Sequence, residues 1–145
     1  MKPGYLSVQT HDGHLGWSRL VVSSHQPDPA PTAGSPSHIR YIAWFSDSET
    51  AFMHAHESLR RRLIDPDTHL YKIPLEHAIA AIESIDLRHK VTYQDPTLGE
   101  QSRAAIADLI AANKLRKQRT DRFFETMGYI GIAILLFNLF FLSLS

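Results

Sequence analysis

The chain has 145 residues, with fifteen Lys and Arg balanced by fifteen Asp and Glu, and no cysteine. A zero net charge supplies no global field that would draw the protein to nucleic acid. Without thiols there can be no disulfide framework, zinc ribbon or cysteine nucleophile, and no palmitoyl or prenyl attachment.

Met1-Lys2-Pro3-Gly4-Tyr5 lacks the apolar run of a secretory signal and the second-position glycine of a myristoylation site. Residues 5–10 and 15–23 are strand-like and flank His11-Asp12-Gly13-His14. Asp-Gly between two such runs predicts a β-hairpin whose two central residues take positive φ. Residues 24–37, SHQPDPAPTAGSPS, contain four prolines and read as a loop interrupting the sheet.

Residues 38–45, HIRYIAWF, form the clearest predicted strand. Ser46 and Glu49 stand at capping-box spacing, so a helix is expected from about Asp47 to Ile64. Ala51, Phe52, Ala55, His56, Leu59 and Leu63 would form its apolar face, and Arg60, Arg61 and Arg62 would complement the dipole at its end. Asp65-Pro66-Asp67 breaks this helix.

Residues 69–73 suit a short strand, and Pro74 suits the first position of a helix to Ile85 with Leu75, Ile79 and Ile82 as its stripe. Residues 88–94 suit another strand. Thr97 and Glu100 repeat the capping-box spacing ahead of a long helix with Ile106, Leu109 and Ile110 on one side. No strong breaker separates Leu98 from the apolar end of the chain.

That end, residues 127–144, is an uncharged run of 18 residues, eleven of them Ile, Leu or Phe. As a helix it measures about 27 Å, against roughly 30 Å for a bilayer's hydrocarbon core. Its leucines, isoleucines and phenylalanines favour insertion by several kcal/mol in sum, at about −0.3 to −0.6 kcal/mol each. A buried core helix would keep a polar edge, which this run lacks. A GPI signal would need a secretory leader and a polar spacer, whereas strongly basic residues precede this run.

Lys114, Arg116, Lys117, Arg119 and Arg122 crowd the N-terminal flank, and no cation follows the run. The positive-inside rule then places the N-terminal domain in the cytoplasm and Ser145 across the membrane. The same cations suit contact with anionic head groups. Within the run, Gly131, Leu135, Asn138 and Leu142 share one helix face. A small residue and an amide on one face suit a helix–helix contact, since an Asn facing lipid is costly, and the equal alternative is an Asn138 near the far interface that meets head groups or water.

The residues that could carry chemistry form weak patterns. His54 and Glu57 stand three apart on one expected helix face, a two-ligand start for a metal without a third ligand. His11 and His14 bracket the expected turn and would suit a metal or titration near neutrality. Their plainer role is as exposed turn residues, and His56 on the apolar face suits a core histidine. The Arg60–Arg62 run could grip a phosphate, although such runs usually form a solvated helix end. There is no GxxxxGK[ST], no GxGxxG and no complete nucleophile elbow, and no carboxylate pair has a spacing that acid–base chemistry demands.

The sequence therefore predicts an α+β fold, a small and mostly antiparallel sheet with two to three helices, followed by one C-terminal transmembrane helix. Residues 1–97 would be the soluble domain, 98–126 a connecting helix with a basic juxtamembrane end, and 127–145 the anchor. The expected role is a non-catalytic accessory or scaffold subunit, without cofactor, whose partners are the bilayer and another membrane protein or a second copy. The alternatives are a membrane-tethered ligand sensor that oligomerises through its last helix and a metal-dependent enzyme using the histidines.

Overall fold

A computed structural model of the chain describes residues 2–30, 34 and 36–143. Residues 31–33 and 35 of the proline-rich stretch, and Leu144 and Ser145 of the apolar run, lie outside the described residues. The chain divides into two compact units, Met1–Ile110 and Ala111–Ser145.

The first unit is built on six strands: β1 (Gly4–His11), β2 (His14–Ser23), β3 (Ser37–Phe45), β4 (Leu63–Asp65), β5 (Leu70–Tyr71) and β6 (His89–Gln94). They form one sheet in the order β4-β5-β2-β1-β3-β6, and every neighbouring pair is antiparallel. The expected α+β architecture is what the molecule has. Because β1 lies between β2 and β3, residues 24–36 must bridge two strands that flank a third, over a strand length of about 25 Å. A proline-rich segment suits that span, since proline cannot donate to a ladder.

The Asp12-Gly13 turn joins β1 to β2 as expected, with His11 opposite His14. The expected positive φ at both turn residues is not found. Among the described residues the left-handed region holds only His69, Gly16 and Gly34, so the twist is corrected beyond the turn. The register shifts after Thr10, and Gly16 takes φ +87° in the bulged part of β2. A bulge with a left-handed glycine restores the strand twist that an ordinary turn would spoil.

Helix α1 spans Ser48–Leu59, and its N-cap is Asp47, whose carboxylate accepts from the Thr50 amide at 3.3 Å. Ser46 is thus not the cap, and the helix ends five residues before the expected Ile64. Arg60–Arg62 form a 3₁₀ turn, and Leu63–Asp65 become β4. Helix α2 spans Leu75–Glu83 with Pro74 as its N-cap, so it starts one residue later and ends two residues earlier than anticipated. Thr97 does not cap the last helix. Its amide and hydroxyl both bond to the Asp95 carboxylate, and helix α3 runs from Glu100 to Ser143.

The core lies between the helices and one face of the sheet. Leu6, Val8, Leu20, Tyr41, Ala43 and Phe45 pack with Ala51 and Ala55 of α1 and with Ala78, Ile79 and Ile82 of α2. Ala51, Ala55 and Ala78 let both helices approach the sheet, and the bulk is supplied by Tyr41, Phe45, Leu6 and Leu20 from the strands and by Ile79 and Ile82 from α2. Each fully buried Leu or Ile contributes about 1.5–3 kcal/mol. Leu98 and Ile106, beside and within the start of α3, join the same core.

Candidate functional site

The apolar part of α3 has no interior to occupy. An 18-residue window along this helix is apolar enough to cross a membrane, and none of it is buried inside the molecule. Ile130, Ile132, Ile134, Leu135, Leu136, Phe137, Leu139, Phe140 and Phe141 are each roughly half to two-thirds exposed. Water does not tolerate a continuous apolar surface of this kind on a monomer. The chain therefore carries one long helix at its C-terminal end that could span a membrane.

Gly131, Leu135, Asn138 and Leu142 all lie on that helix, within an arc of about 60° at 100° per residue. Leu142 is 79 % exposed, and a Cβ added at Gly131 would meet nothing, so this face is open in the isolated chain. Lys114, Arg116, Lys117, Arg119 and Arg122 stand on the same helix ahead of the apolar stretch, all exposed. Arg116 and Arg122 accept hydrogen bonds at their backbone carbonyls from the hydroxyls of Thr120 and Thr126, which spares those hydroxyls an unpaired state next to the apolar stretch.

The histidines divide into unconnected groups. His11 and His14 do come together at the β1–β2 turn, with ring centroids 5.7 Å apart. His11 Nδ1 accepts the Gly13 amide at 3.1 Å, and the His14 ring stacks on Trp17 at 4.1 Å. His54 and Glu57 sit exposed on α1, where Glu57 pairs with Arg60 at 3.3 Å. Among the described residues no group of three His, Asp or Glu side chains has the geometry to hold a metal. Arg60, Arg61 and Arg62 are exposed in the 3₁₀ turn.

Sequence reasoning missed the polar network inside the domain. The Tyr41 hydroxyl donates to Glu83 Oε1 at 2.6 Å, and Glu83 Oε2 lies 3.3 Å from His89 Nε2. His89 Nδ1 lies 2.8 Å from the Leu87 carbonyl, and its ring stacks against Phe45. Burial, then the Glu83 hydrogen bond and charge, push the Tyr41 hydroxyl far above its ordinary pKa, so it stays a donor. Tyr41 is only 1 % exposed, and the network ties β3, α2 and β6 together. No local motif announces it, because Tyr41 and Glu83 are 42 positions apart.

A second pair fastens α1 to β5. His56 Nδ1 lies 2.7 Å from the Tyr71 hydroxyl, whose pKa burial pushes up to about 12. This bears out His56 as a histidine of the packed face. Asp95 sits where β6 turns toward α3, 3.0 Å from Arg40 and bonded twice by Thr97. Burial raises its pKa, but the Thr97 amide and hydroxyl together with Arg40 outweigh that and hold it below the usual carboxylate range.

No protein-family model matches the chain, and neither a curated protein nor a solved structure matches it.

Proposed function

We propose that this chain is a membrane-anchored accessory subunit, a cytoplasmic α+β module held at a bilayer by the apolar end of α3. The observation that carries the proposal is the uncharged run from Met127, unburied along α3 and preceded by the five cations from Lys114 to Arg122. The apolar run supplies the insertion energy. The cationic collar resists translocation and can rest against anionic head groups, at about 1 kcal/mol per charge near the surface. The open face through Gly131 and Asn138 supports a helix contact in the membrane, either with another membrane protein or with a second copy.

The buried polar groups support a non-catalytic role, because their hydroxyls and carboxylates are used up in holding secondary elements together. Fractionation of cells expressing the full chain tests the anchor. The protein is expected in the membrane pellet, resistant to high salt and released by detergent, with any bound partner co-purifying. Removing residues 127–145 is expected to shift it to the soluble fraction and to lose that partner. A full chain that stays soluble and monomeric without detergent would refute the anchor.

A further inference from the structure

β2 is only partly covered on its outer edge. β5 pairs with Ser18 and Arg19, and the Leu20 amide then donates to the His69 carbonyl at 3.1 Å. There the row stops, because His69, at φ +52°, turns the chain away from β2. It is the one described non-glycine residue with positive φ, a conformation that costs about 1 kcal/mol or more. Amides on one edge of a strand recur every second residue, so the Val22 N–H and C=O follow those of Leu20 and point into the vacated row.

Beside that row runs an open groove of about 490 Å³, lined among others by Val22, Phe52, Met53 and His69. Met53 is 66 % exposed and Val22 is 39 % exposed. The His69 ring meets Phe52 edge-on at 4.7 Å, so the residue that ends the β5 row also forms the groove wall. Exposed strand edges are usually guarded by charge, proline or a covering element. Val21-Val22-Ser23 itself carries neither a charge nor a proline, and the charged side chains at the groove, Arg19 and Glu49, come from an inner position of β2 and from α1.

We propose that this groove binds an extended segment of a partner protein, added antiparallel to β2 in line with β5, with an apolar side chain seated between Val22, Phe52 and Met53. This rests on the accessory-subunit reading and deepens it by naming where the partner docks. The backbone groups of Val22 ask for a strand, because a helix has no free amides along its side to meet them. A strand alternates its side chains, so apolar residues at every second position would face α1 while polar ones face away. Only about three residues of edge are open, so such pairing is weak alone, and joint confinement to one membrane would raise the effective concentration.

The probe is an acetylated, amidated peptide of alternating threonine and valine ending in lysine, titrated into the full chain in lipid nanodiscs and followed by amide NMR. Saturable shifts at Val22, Phe52 and Met53 are expected, with Val22 amide exchange slowed at least tenfold. Val22→Pro removes the outward amide without touching the β1 ladder, and Met53→Arg fills the groove from the helix side. Each is expected to weaken the peptide at least tenfold, and Met53→Arg keeps the test valid if Val22→Pro unfolds. Absence of shifts at Val22, shifts that persist in Met53→Arg, or Val22 shifts that follow protein concentration without peptide would overturn the proposal. Repeating the titration in detergent separates the two readings, since the groove does not need a bilayer and the anchor does.

Discussion

Tyr41 shows how much one hydroxyl can hold. Its bond to Glu83 joins a central strand to α2 where water cannot replace it. Tyr41→Phe would leave a half-buried carboxylate short of a donor, and the unfolding free energy is expected to fall by about 1–3 kcal/mol in urea denaturation. Asp95 gives the domain an acid-sensitive joint. Its folded pKa lies below its unfolded value, so it stabilises the fold above about pH 4 and that stabilisation fades as pH falls through the lowered value. Asp47, held low by the Thr50 amide, and Asp65, held low by the Thr68 hydroxyl, act in the same direction. Urea midpoints are expected to drop between about pH 6 and about pH 3, and Asp95→Asn is expected to flatten part of that slope. The core side chains were legible as periodic apolar residues. The bolts were not, because Tyr41–Glu83 and Arg40–Asp95 join residues far apart in sequence, and only the sheet brings them together.

The elements were legible wherever a local rule decides them. The hairpin, the HIRYIAWF strand and the stripes of α1 and α2 follow from alternation and helical spacing, and burial confirms Ala51, Ala55, Leu59, Ile79 and Ile82. Where two rules compete, the sequence misleads. Leu63 and Ile64 extend the helical pattern of α1, yet pairing of Leu63 with Tyr71 draws them into β4. Arg60–Arg62 complete the change from helix to strand through a 3₁₀ turn. Within α3, Asn138 is the element's one strongly polar group in the apolar stretch. If it meets a helix, Asn138→Leu should lower partner recovery or self-association severalfold in cross-linking and pull-down while leaving membrane recovery intact. Unchanged association would show that the amide faces water or head groups instead.

At the scale of the whole molecule, the charges are balanced in number and uneven in place. The collar ahead of the apolar stretch is the part that should set sidedness. A glycosylation acceptor or pH-sensitive fluorophore fused after Ser145 is expected to report the compartment opposite the N-terminal module. Replacing Lys114, Arg116, Lys117, Arg119 and Arg122 by glutamine should blur that preference without soluble release, because the apolar run is untouched.

The sheet order also has a consequence during synthesis. β1 occupies a middle row, yet it is made before both of its neighbours, and the second of them, β3, is not complete until Phe45 has been made. At roughly 5–20 residues per second, a nascent β1–β2 hairpin waits on the order of seconds with one backbone edge of β1 unpaired. A mutation that slows translation between the two would lengthen that wait, and the cell would see it as clumping or chaperone capture of a chain whose finished fold is unaltered.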